Sequence, residues 1–149
     1  MNVSRRVIFG FSVLVSVLGY SVVYADSLNQ TQSLYSRLGG APAIAAVIDQ
    51  FVTNVAGDRR INARFGTTDI PKLKRHLVDQ VCSATGGPCS YSGRDMKTTH
   101  AGMKITNADF NALVEDLVAA LDKLKVPARE KKGLLEILGP MRKEIVEVQ

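Results

Sequence analysis

Two histidines and two cysteines are the side chains of this sequence whose chemistry suits a metal or a cofactor. His76 comes three residues after Leu73 and directly before Leu77, on an apolar stripe of helical spacing. His100 precedes Ala101-Gly102, small residues beside which another group can approach closely. Neutral imidazole is the commonest protein ligand for transition metals. Zinc would need further His or Cys at ligand spacing. Two histidines on separate helices facing one apolar slot suit haem better. An imidazole on such a stripe can equally be a satisfied core residue, and spacing alone leaves both readings open.

Cys82 and Cys89 flank Gly86-Gly87-Pro88, which lets the chain turn back on itself. In an oxidising compartment a disulfide could close that loop. A buried Cys82 and an exposed Cys89 that never meet is the other reading. No Cys-x-x-Cys-His is present, so c-type haem attachment has no site.

The elements that must carry these residues read as helices almost throughout, with no alternating strand pattern. Ser33 can cap a short helix over residues 34–38, ended by Gly39-Gly40. A second helix is expected from about Pro42 to Ala56, with Pro42 in its first turn and Ile44, Val47, Ile48, Phe51, Val52 and Val55 inward. Thr68-Asp69 caps a third, whose stripe is Leu73, His76, Leu77, Gln80, Val81 and Ala84. A brief helix reaches His100. Thr106-Asn107-Ala108-Asp109 opens a long one to about Lys125, and after Val126-Pro127 a last helix is interrupted at Gly139-Pro140. The prediction is an all-α domain whose small core a buried cofactor would help to complete.

Residues 1–25 do not read as part of that domain. Arg5 and Arg6 precede an apolar run from Val7 to Val23, and Val23-Tyr24-Ala25 supplies a cleavage site before Asp26, the layout of a secretory signal peptide. Residues 26–32 form a polar lead-in. Ser4-Arg5-Arg6 is a loose twin-arginine pattern, so Sec export is the default. Export would place the protein in the periplasm or outside the cell, with membrane contact only through an uncleaved signal. Cleavage would lower the formal charge from +5 to +3. The basic residues are scattered among acids rather than clustered with aromatics, which argues against nucleic-acid binding.

Several segments in order carry a family resemblance. Ser33-Leu34-Tyr35-Ser36-Arg37-Leu38-Gly39-Gly40, Arg60-Ile61-Asn62-Ala63-Arg64-Phe65, Gly86-Gly87-Pro88 and Tyr91-Ser92-Gly93-Arg94-Asp95-Met96-Lys97-Thr98-Thr99-His100 are similar to successive markers of the group 1 truncated haemoglobins. The resemblance runs from Leu34 to about Ile145, and so assigns residues 33–149 to a truncated globin domain. It implies a two-over-two helical sandwich around haem b (iron protoporphyrin IX). His100 matches the proximal iron ligand, Phe65 the phenylalanine packed on the haem face, and Leu73, Leu77, Val81, Met96 and Ile105 positions that line the haem pocket.

The departures from the family bear on function. Val52 stands where many members carry a tyrosine that donates to bound oxygen, and Leu77 replaces a common glutamine. The ligand-facing position holds Leu73, so the resemblance implies an apolar pocket apart from His76. His76 matches the sixth iron ligand of the cyanobacterial branch; alternatively it faces a propionate or solvent. That branch also attaches haem through a histidine on the last helix; none occurs here, so non-covalent haem is expected. Lys72, Lys74 and Arg75 are candidate propionate partners, though a solvated basic face explains them as well. The function implied is reversible binding of the diatomic gases O2, NO or CO. The alternative is a redox protein working with an external electron donor, in electron transfer, NO detoxification or peroxidase-like chemistry.

Overall fold

The computed structural model describes residues 32–148. The expected signal peptide and most of the lead-in lie outside them. Seven α-helices and two 3-10 turns order the described chain: α1 (Leu34–Arg37), α2 (Gly40–Gly57), a 3-10 turn (Asn62–Phe65), α3 (Ile70–Ala84), α4 (Met96–His100), α5 (Asn107–Lys123), α6 (Ala128–Leu138), a second 3-10 turn (Gly139–Met141) and α7 (Arg142–Ile145). No described residue belongs to a strand; a single parallel bridge joins Thr106 to Val148.

The helix starts follow from local chemistry. Asp69 accepts a hydrogen bond from Lys72 N and caps α3, with Pro71 in its first turn. Thr106 and Asp109 exchange bonds as a capping box at the start of α5: the hydroxyl accepts from Asp109 N at 3.1 Å, and the carboxylate accepts from Thr106 N at 2.8 Å. Ser33 accepts from Ser36 N and caps α1. One boundary differs from the expected one. Gly39-Gly40 does not simply stop α1; Gly39, at φ 96°, is the N-cap of α2, which starts at Gly40 rather than Pro42. A left-handed N-cap without a Cβ lets two helices follow each other with almost no loop.

α2 packs chiefly against α5 and α3. Its buried face is Ile44, Val47, Ile48, Phe51 and Val55, at helical spacing. One part of the core joins Ile44, Val47 and Ile48 to Val81, Cys82, Leu121 and Leu134; another joins Phe51, Val55 and Ile61 to Ala112 and Ala120.

The stripe of α3 is less buried than its apolar character suggests. Val81 and Cys82 are buried, whereas Leu73, His76, Leu77 and Gln80 are half-buried and Ala84 is exposed. Leu73, His76, Leu77 and Gln80 all border a cavity, and Leu77 also packs against the core beneath it.

Cys82 and Cys89 form a disulfide, with Cα atoms 5.7 Å apart. The turn between them passes through Gly86, at φ 82°, and Gly87, where a methyl group would fall 2.5 Å from the Tyr35 ring and 2.7 Å from Cys82 Sγ. Tyr35 ties the region together: its amide donates to Thr85 O and its hydroxyl accepts from Ala41 N.

Candidate functional site

His100 is the last residue of α4, a helix of five residues whose start is capped by Asp95 accepting from Thr98 N at 2.8 Å. A helix this short does not hold its shape alone. His100 Nδ1 lies 2.8 Å from Met96 O. A carbonyl can only accept, so this contact places the proton of a neutral ring on Nδ1 and leaves the Nε2 lone pair free for a metal.

Three cavities share His100 as part of their wall. One of about 300 Å³ is bounded by Leu77, Gln80, Val81, Met96 and Phe110, among others. A second, of about 80 Å³, meets Phe65, Ile105 and Phe110. The third, of about 520 Å³, carries Leu73, His76, Leu77, Gln80, Tyr91 and Met96. The structure thus brings all eight residues singled out in the sequence to spaces that adjoin one imidazole. Val52 packs against both main parts of the core.

His76 Nδ1 is buried and has no hydrogen-bond partner. Its ring meets Tyr91 edge-on, and the Tyr91 hydroxyl donates to Arg94 O at 2.9 Å. Burial, more than the nearby Asp95 charge, raises the Tyr91 pKa, so the phenol stays a neutral donor.

The pocket is more polar than the sequence suggests. Gln80 lines both larger cavities, and its amide nitrogen lies 3.5 Å from each of Met96 Sδ and Met141 Sδ, two weak acceptors. The signal was present: Gln80 follows His76 by four residues on the same face of α3. Tyr91 and Arg94, in the loop before α4, also reach the larger cavity. The basic residues of α3 separate. Lys72 lines the cavity of His76, but Lys74 pairs with Asp49 at 2.9 Å, and it and Arg75 border another groove, against α2. Successive positions on a helix point about 100° apart, and that rotation sends them to different faces.

An iron porphyrin fits these residues. Its flat apolar ring needs apolar walls, its iron an imidazole nitrogen, and its propionates cations at the rim. The walls are largely Leu, Val, Phe and Met, His100 Nε2 is free, and Lys72 and Arg94 stand at the larger cavity. The orphaned His76 Nδ1 marks a buried polar atom still wanting a partner. Among the described residues, no three His, Cys, Asp or Glu side chains converge as a protein-only metal site would require.

Comparison with known proteins gives the same picture. The family described as Bacterial-like globin matches residues 33–147. A group 1 truncated haemoglobin of Tetrahymena pyriformis is 30% identical over 119 residues, 80% of this chain and 98% of the relative. One from Nostoc sp. (strain MUN 8820) is 33% identical over 114 residues, 76% of this chain and 97% of the relative. The crystal structure of the Tetrahymena pyriformis truncated haemoglobin in its Fe(III) form aligns with a TM-score of 0.74 at 30% identity, covering 77% of this chain and 98% of that one. A Synechococcus 2/2 haemoglobin, in the cyanomet state with covalently attached haem, aligns with a TM-score of 0.73 at 32% identity and the same coverage. The helices described above are therefore those of the two-over-two globin fold. Similarity of this extent, carried by sequence and fold alike, leaves one assignment: the chain belongs to the bacterial-like globins and, among them, to the group 1 truncated haemoglobins.

Proposed function

We propose that this globin holds haem b without a covalent bond, through His100, and reversibly binds a diatomic gas (O2, NO or CO) outside the cytoplasm. The observation that carries the reading is His100 itself, oriented by Met96 O and bordering three adjoining cavities. When bound, haem supplies an iron with an exchangeable coordination position for such a gas. His100 would hold that iron through Nε2. Phe65, Leu73, Leu77, Val81, Met96 and Ile105 supply apolar walls that exclude water, and Lys72 and Arg94 offer cationic partners for carboxylates.

Non-covalent attachment is supported by composition and pairing. The chain has only two histidines, neither on the last helices, and its two cysteines are bonded to each other, leaving no thiol for a thioether link. The same disulfide, together with the signal-like residues 1–25, supports export to the periplasm or beyond.

Val52, Leu73 and Leu77 bring no hydrogen-bond donor to a bound gas. A hydrogen bond to a charged partner is worth about 1.5–3 kcal/mol, so its loss speeds gas release roughly ten- to a hundredfold. Gln80 and His76, on the same face of α3, are donors at the cavity that could offset this.

A second reading rests on the orphaned His76 Nδ1 in a cavity that also borders His100. With His76 as a second iron ligand, the protein would carry a bis-histidine redox centre served by an external electron donor. Absorption spectra of the ferric, ferrous and CO forms test both readings. His100→Ala should lose most of its haem; normal haem retention in that variant would overturn the main proposal. A low-spin ferrous wild type that becomes high-spin in His76→Ala favours the bis-histidine reading, and a high-spin spectrum unchanged by that substitution removes it.

A further inference from the structure

The loop that leaves His100 is held by the far end of the chain. Glu147 Oε1 accepts from Gly102 N at 2.7 Å and Oε2 accepts from Lys104 N at 2.6 Å. The partners lie 45 and 43 residues away in sequence. The backbone adds two bonds, Glu147 N and Val148 N both donating to Ile105 O, at 2.9 and 3.1 Å.

The loop is shaped to receive that carboxylate. Gly102 has φ 79° and Lys104 has φ 52°, so two left-handed residues alternate with Met103 and turn their amides toward one anion. For lysine this conformation is unfavourable and persists only where its surroundings secure it. Met103 is fixed in turn: its amide donates to His100 O at 3.1 Å, and its carbonyl accepts from Arg64 at 2.9 Å. Arg64 stands directly before Phe65. α7, which delivers Glu147, packs against α4, and Ile145 shares two cavity walls with His100.

With only five residues, α4 depends on what grips its ends. Asp95 caps the first end from within the same segment, while the chain leaving the second end is gripped from the C-terminus by Glu147. We propose that Glu147 is a positioning residue for His100: by clasping Gly102 and Lys104 it sets where the proximal imidazole meets the iron and how firmly it stays there. The proposal rests on the reading of His100 as the iron ligand.

The test uses the full haem-loaded chain as wild type, Glu147→Ala and Glu147→Gln, with Glu144→Ala as a control on α7. Resonance Raman spectra taken just after photolysis of the ferrous CO form read the iron–histidine stretching band. Amide hydrogen exchange reads Gly102 and Lys104, and transfer to a haem-free acceptor protein reads haem loss. In Glu147→Ala the two amides should exchange at least about tenfold faster, as loss of charge-assisted hydrogen bonds requires. The band should shift or split, and haem loss should accelerate about tenfold by the same arithmetic. Glu147→Gln, with one acceptor oxygen, should fall between, and Glu144→Ala should match wild type. A wild-type band and a wild-type haem-loss rate in Glu147→Ala overturn the proposal, whatever the amides do. Should Glu147→Ala fail to fold, the same two readings on Glu147→Gln decide. An iron–histidine band that survives in His100→Ala is a different failure: it removes the His100 assignment, and the positioning role with it.

Discussion

The imidazole of His76 stands edge-on to the ring of Tyr91, with centroids 6.3 Å apart and planes inclined at 75°. The two rings come from different segments, α3 and the loop before α4, and both face the cavity that borders His100. Tyr91→Phe keeps the ring edge and removes only the hydrogen bond to Arg94 O, so it should cost about 0.5–1.5 kcal/mol and leave the haem absorption bands in place. Tyr91→Ala removes the ring that His76 meets edge-on and, under the bis-histidine reading, should change the low-spin fraction of the ferrous spectrum. Urea denaturation and absorption spectra measured on both variants check this pair of outcomes.

The disulfide links Cys82, fully buried in the core, to Cys89 on the path toward α4. Closing so short a loop restricts the unfolded chain by an amount worth about 2–3 kcal/mol. Cys89→Ser should lower stability by that amount under oxidising conditions. Adding a reductant that opens the wild-type bond should bring the two proteins to similar stability, as followed by the urea midpoint. A reduced wild type far more stable than Cys89→Ser would contradict the account.

Two glycines should respond oppositely to alanine. At Gly87 the added methyl would fall 2.5 Å from Tyr35 and 2.8 Å from the Cys82 carbonyl oxygen, in a region pinned by the disulfide and by hydrogen bonds. Gly87→Ala should therefore cost about 1–3 kcal/mol. At Gly57, the last residue of α2, a methyl meets nothing within 4 Å, and Gly57→Ala should stabilise by about 0.4–1 kcal/mol through the unfolded chain. Thermal melts of the two variants give the comparison.

Asp116 and Asp109, on the same helix, should titrate stability in opposite directions. Burial, followed by the nearby Asp58 charge, raises the Asp116 pKa, and one of its carboxyl oxygens is buried without a partner. An acid whose folded pKa lies above its unfolded value loses stability as pH rises between the two. Asp116→Asn should thus stabilise the protein at pH 7, an advantage that fades as pH falls to the ordinary aspartate value of about 3.9. Asp109 is held below its ordinary pKa, first by the Thr106 amide and also by Arg64. Its contribution is complete above the unfolded value near 3.9 and disappears as pH falls through the lower folded one. Asp109→Asn should be destabilising at pH 7 and indistinguishable from wild type in strong acid. Denaturation curves from pH 2 to pH 8 separate the two signs.

Much of the helical layout was legible residue by residue. Ser33, Asp69 and Thr106 marked helix starts because a capping side chain acts on an amide two or three positions away. The stripes of α2 and α5 followed from a fixed rotation per residue. α2 begins at Gly40, two residues before Pro42, because Gly39-Gly40 can end one helix or begin the next, and only the neighbouring helix decides which.

From residue types alone the sequence places two imidazoles on helical segments bordered by apolar and small residues, and through its resemblance to a family it points to His100 as the expected iron ligand. It left open whether Cys82 and Cys89 meet, and it gave Lys72, Lys74 and Arg75 the same role. Tertiary structure joined the cysteines, turned Lys74 and Arg75 to another groove, added Gln80 to the polar groups of the pocket, and carried Glu147 to the amides beyond His100. The division has a physical cause. Caps and stripes depend on neighbours a turn away, whereas a clasp between residues 45 apart depends on every helix packed between them.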